Sequence, residues 1–409
     1  MMVTGNRALS TAWLKTVLLL AVPAFFISVV DAGGGEWSGS MALEVRLFPQ
    51  NPLSSNQHEE SLSIALAPEF YHAWDQGRQS LTFVPFLRLD QHDDERTHGD
   101  VRELTWTKVA TPWEVRVGFR KVFWGVTEFQ HLIDIINQTD LVENIDTEDK
   151  LGQPMINLSL ERDWGVVDFF VLPYFRERTF PGRDGRPRFF FPVDTDRARY
   201  ESGVGQRHVD WAIRWFHTLG DWDLGVAHFS GTGREPRLLP DFSNPATPVL
   251  VPHYDLIDQT SLDLQATKGD CLWKLEALSR RTQGDRFAAL TAGTEYTLVG
   301  ILGTAADLGL LAEYLYDERG DASTTPFYND LGLGVRLTLN DVQSTTLLLG
   351  VIINRDDHAR FWTLEADRRI ATSWTIGLEA RAFEHLAPRD LLYGLRRDDY
   401  IQIEAAWHF

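Results

Sequence analysis

The chain has 409 residues, a formal net charge of −19, one cysteine (Cys271) and 12% aromatic residues, including 14 Trp. That acidity argues against a nucleic-acid binder, which needs a basic stripe, and the single thiol excludes an internal disulfide. After the first thirty or so positions no apolar run approaches the ~20 residues of a membrane-spanning helix. A membrane protein of this make-up must therefore cross with strands closed into a barrel, so that every backbone polar group in lipid is satisfied.

In chain order the first element is a targeting signal. Arg7 and Lys15 precede a nearly continuous apolar run from Thr16 to Val30, and Val30-Asp31-Ala32 offers a cleavage site ahead of Gly33-Gly34-Gly35. The run is short for a membrane anchor, and no cysteine stands at the junction for lipid attachment. The expectation is a cleaved secretory signal over 1–32 and one barrel domain over 33–409.

From Trp37 onward the same two-residue alternation recurs, apolar residues on one face and polar ones on the other, as in a half-buried strand. Trp37, Met41, Leu43, Val45 and Leu47 alternate with Ser38, Ser40, Ala42, Glu44 and Arg46; Trp113, Val115, Val117 and Phe119 alternate with Glu114, Arg116, Gly118 and Arg120. About 18 such segments follow to the end of the chain, with 16 as the alternative, an even number either way. The connections sort by parity. Those after even-numbered segments are brief, such as Asp75-Gln76-Gly77-Arg78, Thr111-Pro112, Gly220 and Asp341. Most after odd-numbered segments are long, such as 49–61, 124–154, 177–207 and 231–260, and the brief ones near Gln283 and Asp356 are exceptions. A soluble sandwich has no reason to sort its loops this way.

The third long connection, 124–154, stands out. Phe129, Leu132, Ile133 and Ile136 fall at helical spacing, which predicts a short amphipathic helix packed on the barrel interior. The connection is also strongly acidic, with Glu128, Asp134, Asp140, Glu143, Asp146, Glu148 and Asp149 against Lys150. The fourth, by contrast, is basic, carrying Arg176, Arg178, Arg183, Arg186, Arg188, Arg197, Arg199 and Arg207 around Phe189-Phe190-Phe191. Two readings of that loop stand side by side: a rim that attracts anions or lipopolysaccharide phosphates, and a solvated flexible loop. The polar wall face carries both signs, with Arg116, Arg120, Arg336 and Arg381 among its bases. These charges either pair across strands or guide anionic solutes.

No catalytic set emerges. The chain has no Gly-x-Ser-x-Gly elbow, no phosphate-binding glycine loop and no joined Cys/His pair. His92-Asp93-Asp94 and His98 share one connection and read as solvated charge rather than a metal centre. No cofactor, metal or catalytic residue is expected.

The chain ends on Tyr400-Ile401-Gln402-Ile403-Glu404-Ala405-Ala406-Trp407-His408-Phe409. Ile401, Ile403, Ala405, Trp407 and Phe409 share a face suited to lipid, and the ending resembles the last strand of Gram-negative outer-membrane β-barrels. The resemblance implies that Tyr400, Trp407 and Phe409 act as a signal for the barrel-assembly machinery, and that this strand closes antiparallel on Trp37–Phe48. It further implies an all-β transmembrane barrel in the bacterial outer membrane, similar to porins and polysaccharide-export channels, passing small hydrophilic and in part anionic solutes. In porins the third external loop folds inward to form the constriction. By that likeness Glu128, Asp134, Asp140, Glu143 and Asp146 would face Arg116 and Arg120, the alternative being an outward loop that binds cations or water. An outer-membrane lipid-modifying enzyme and a passive structural or adhesion barrel are the competing functions; oligomeric state is left open.

Overall fold

The structure is a computed structural model that describes residues 34–409; the signal expected over 1–32 lies outside the described residues. Eighteen strands form one closed antiparallel sheet. The first six are β1 (Glu36–Leu47), β2 (Glu60–Trp74), β3 (Gln79–Asp90), β4 (His98–Ala110), β5 (Trp113–Arg120) and β6 (Gln153–Arg162). Next come β7 (Gly165–Leu172), β8 (Asp210–Leu219), β9 (Trp222–Thr232), β10 (Leu256–Lys268), β11 (Cys271–Thr282) and β12 (Asp285–Leu298). The last six are β13 (Asp307–Asp317), β14 (Asn329–Thr338), β15 (Thr346–Asn354), β16 (Arg360–Ala371), β17 (Trp374–Glu384) and β18 (Tyr400–His408). Each strand pairs with its sequence neighbour, and the seam closes as the alternation requires, from Ser40 opposite His408 to Leu47 opposite Ile401.

The alternation turns the molecule inside out. On β1, Leu43 and Leu47 are 42% and 48% exposed while Glu44 and Arg46 between them are 2% and 4%. An outward apolar face suits lipid, whereas the inward charges stay buried only because each has a partner. Arg46 lies 3.0 Å from Glu44, and Arg88 on β3 reaches the same carboxylate at 3.0 Å.

The loop parity holds, with short turns on one rim and long loops on the other. Two short-rim turns are longer than the spacing suggests, at 299–306 and 339–345. Side chains close them: Asp307 Oδ1 accepts from Gly300 N at 2.9 Å, and Asp341 Oδ1 accepts from Thr345 N at 2.8 Å. On the opposite rim, Arg237–Asp241 pairs antiparallel with Val249–Tyr254, which runs parallel to Arg199–Tyr200, a small second sheet that the alternation had not revealed. No α-helix occurs among the described residues, so the helix expected in the third long loop is not formed.

Candidate functional site

The site is the lumen, and the third long loop (121–152, loop 3) fills much of it. Leaving β5, the loop is pinned at its base by Asn137. Its Oδ1 accepts from Val122 N at 2.8 Å, and its Nδ2 donates to the carbonyls of Arg120 and Leu151, each at 2.8 Å. Trp124, Ile133, Ile135 and Ile136 then pack on inward-facing Met155 of β6, Phe170 and Leu172 of β7, Ala212 of β8, Ala227 and Phe229 of β9 and Ile257 of β10. The inward face of β6 to β10 thus carries an apolar patch that loop 3 covers, beside buried polar residues such as Asn157, Asp210 and Asp263. On β7 the run Phe169-Phe170-Val171-Leu172 is apolar on both faces: Phe169 and Val171 are 41% and 42% exposed, Phe170 and Leu172 3% and 0%.

The far wall explains why 124–137 is not helical. Glu276 on β11, wholly buried, accepts with Oε1 from Val126 N at 2.6 Å, Thr127 N at 3.0 Å and Thr127 Oγ1 at 2.7 Å, and with Oε2 from Ile133 N at 3.1 Å. Glu313 on β13 takes Glu128 N and Phe129 N at 2.8 and 3.0 Å. Of these donors the Ile133 amide is the one that a helix over 129–136 would use internally, and it is spent on a wall carboxylate, a stronger charge-assisted interaction; the amides of 126–129, which a helix start would leave open, fix the segment to the wall. Between those amides the Phe129 ring lies on Gly332 and Gly334 of β14 and Gly350 of β15. A Cβ added at Gly332 would sit 2.4 Å from the ring.

The loop acids find wall bases, two of which, Arg336 and Arg381, the sequence places on the polar wall face. Glu128 lies 2.6 Å from Arg336 of β14, Asp140 2.6 Å from Arg102 of β4, Glu143 2.8 Å from Arg88 of β3 and Asp146 3.1 Å from Arg381 of β17. Asp134 pairs within the loop, 3.1 Å from Lys150. The pairing of loop acids with Arg116 and Arg120 is overturned. Arg116 pairs with Glu114, and both arginines donate to Asn157 Oδ1 on β6, at 3.1 and 2.8 Å. The reason is the path of the loop, which crosses at once to β11 and β13 and, where it comes back to β5, meets the Arg120 carbonyl through Asn137 rather than either guanidinium. Tyr400 also belongs to the lumen, where it is buried and bonded to Glu379 and to loop 3 through Asn144. The chain end is held at the seam: Gly39 N donates to Phe409 O at 3.0 Å, and the Trp407 and Phe409 rings lie 5.1 Å apart.

Loop 4 (173–209) is folded across the outer mouth rather than solvated. Arg186 pairs with buried Asp398 at 2.8 Å and donates to the carbonyl of His58 at 3.0 Å, and Arg176 meets Asp100 at 2.8 Å. Asp93, read from the sequence as solvated, is buried and accepts from Gly182 N at 3.1 Å, while His92 stacks on His58.

Between loop 3 and the wall remains a cavity of about 180 Å³. Its loop side presents Glu128, Asp146 and Glu148; Arg178, Arg234, Arg280 and Arg381 also line it. Burial pushes the Asp146 carboxyl up to about 7 despite Arg381. Burial alone would pull His131 down, yet Glu148 and the neighbouring Glu276 and Asp134 leave it raised. Glu235 is penalised by burial, but Arg280, Arg178 and Arg319 hold it down at about 2. Below loop 3 a second cavity of about 230 Å³ opens along Glu44, Arg46, Arg88 and Glu404.

No family model matches the chain, and no curated protein matches it in sequence. Solved structures do share its fold. OccK11 (OpdR) of Pseudomonas aeruginosa is 11% identical over 92% of this chain and 95% of its own, with a TM-score of 0.51. An OmpT outer-membrane protein of Vibrio cholerae in trimer form is 11% identical over 93% and 100% (TM-score 0.46), and a mutant of Rh. blastica porin 10% identical over 92% and 100% (TM-score 0.44). The chain therefore has the architecture of an outer-membrane porin-type barrel.

Proposed function

We propose that the protein is an outer-membrane channel through which small hydrophilic solutes diffuse, with loop 3 as its constriction. The observation that carries this reading is a loop held inside the lumen by wall carboxylates with a charged cavity of about 180 Å³ left beside it. An acidic loop opposite arginines sets a field across the opening, and charged rings tune the selectivity of pores. The preference is assigned to anions on Arg178, which lines the cavity facing Glu235, donates to the Gln138 amide oxygen at 3.2 Å and is within no ion-pair distance of a carboxylate among the described residues. Outward Trp407 and Phe409 suit contact with lipid and with the assembly machinery; loop 4 arginines not consumed in ion pairs suit lipopolysaccharide phosphates.

Insertion of the purified protein into planar bilayers tests the proposal. Discrete conductance steps are expected, with a reversal potential that shifts toward cations in Arg178→Ala. A silent barrel that instead hydrolyses lipid would refute the channel.

A further inference from the structure

We propose that His98, Asp140 and Glu143 bind one divalent transition-metal ion, zinc by the character of the donors, and that the ion clamps loop 3 to the barrel wall. This goes beyond the channel reading and does not depend on it.

His98 opens β4 on the lumen face. Its Nδ1 lies 3.1 Å from the Arg96 carbonyl, which can only accept, so Nδ1 carries a proton. A neutral ring then presents a bare Nε2 lone pair. That atom lies 3.5 Å from Glu143 Oε1 and 3.8 Å from Asp140 Oδ2, and the three atoms fall within 4.8 Å of one another. Three acceptors facing one another repel unless a positive centre sits between them. A second ring proton serves poorly, because both separations exceed the ~3.2 Å of an N–H···O bond. A metal ion suits the spacing better, since two bonds of ~2.1 Å at a tetrahedral angle place their donor atoms roughly 3.4 Å apart. Imidazole with two carboxylates favours zinc over calcium or magnesium, which take oxygen donors.

The surroundings are those of a supported ligand set. A tight turn, with Glu143 N donating to Asp140 O at 3.2 Å, sets the two carboxylates side by side. Asp140 is fully buried; its Oδ1 accepts from Thr179 Oγ1 at 2.5 Å, while His98 Nε2 makes no hydrogen bond among the described residues. Arg102 lies 2.6 Å from that Oδ2 as an ionic neighbour, and Arg88 holds Glu143 Oε2 at 2.8 Å. Each ligand is thus oriented by an outer partner, the arrangement that tunes metal sites. The nearby guanidinium charge is matched elsewhere as well: Arg88 and Arg96 share Glu44, at 3.0 and 2.8 Å, and Arg96 meets Asp90 at 2.9 Å. With His98 on the wall, Asp140 and Glu143 on loop 3 and Thr179 on loop 4, the ion would join three parts of the channel.

The test uses the full barrel in detergent, stripped with chelator and titrated with zinc chloride by calorimetry. One site of micromolar or tighter affinity is expected, weakened at least tenfold in both His98→Ala and Glu143→Gln. Undiminished binding in His98→Ala, or no binding to the wild type, overturns the proposal. X-ray absorption at the zinc edge of the loaded wild type gives an answer even where a variant does not fold. A shell of nitrogen and oxygen with one imidazole supports the site, and a shell without imidazole overturns it.

Discussion

Two stretches of the lumen wall hold loop 3 in opposite ways. Along β6 to β10 an apolar patch of the wall meets Trp124, Ile133, Ile135 and Ile136 in a buried cluster. Along β11 to β17 it is charged, meeting the loop through Glu276, Glu313, Arg336 and Arg381. The apolar contact is non-directional and supplies most of the seating free energy. The carboxylates are directional and decide where each loop amide points, because a buried donor left unpaired costs ~1–3 kcal/mol. The cavity left beside loop 3 lies on the charged side, where Arg280 and Arg381 are among its lining residues.

The comparison breaks most severely on the apolar side. Ile133→Asp places a carboxylate in a fully buried apolar site and is expected to cost about 4 kcal/mol or more of barrel stability, read as an earlier thermal unfolding midpoint by circular dichroism. On the charged side Gly332→Ala brings a methyl into the Phe129 ring. Overpacking of that kind costs about 1–3 kcal/mol, and here it should appear as noisier open-channel current with the barrel intact.

Acidity sharpens the contrast further, since Asp146 and His131 lie on the loop's charged side. The Asp146 pKa, raised to about 7 by burial, exceeds that of the unfolded chain, so its contribution to seating is complete below the usual aspartate range and is lost as pH rises through 7. The raised His131 acts in the same sense. Loop 3 is therefore expected to be held more firmly at pH 5 than at pH 8, giving quieter current at the lower pH, and Asp146→Asn should flatten the dependence. The smallest effect belongs to Arg116→Ala and Arg120→Ala. Both side chains are spent on Asn157 and, for Arg116, on Glu114, so ion selectivity should stay near wild type. Arg381→Ala, which strands Asp146, Glu365 and Glu379, should shift it clearly.

Strands, seam and loop parity were legible because lipid imposes one rule on every segment, apolar outward and polar inward. The lumen obeys no such rule, and there the sequence misled. The doubly apolar run Phe169-Phe170-Val171-Leu172 is the available sign of an apolar patch on the inner wall. Helical spacing of Phe129, Ile133 and Ile136 was real, but the amides were claimed by Glu276 and Glu313, which lie more than a hundred residues away in the chain. Arg102 and Arg88, the true partners of Asp140 and Glu143, were hidden for the same reason, as was His98 beside them. Contacts across a lumen join positions that no local pattern connects.

The central claim is that wall carboxylates hold loop 3 as the constriction, and single-channel conductance of Glu276→Ala against wild type tests it most directly. Removing this side chain frees four loop donors at once. The account predicts a larger or strongly flickering conductance from a barrel that still folds and inserts. Conductance and noise indistinguishable from wild type would contradict it.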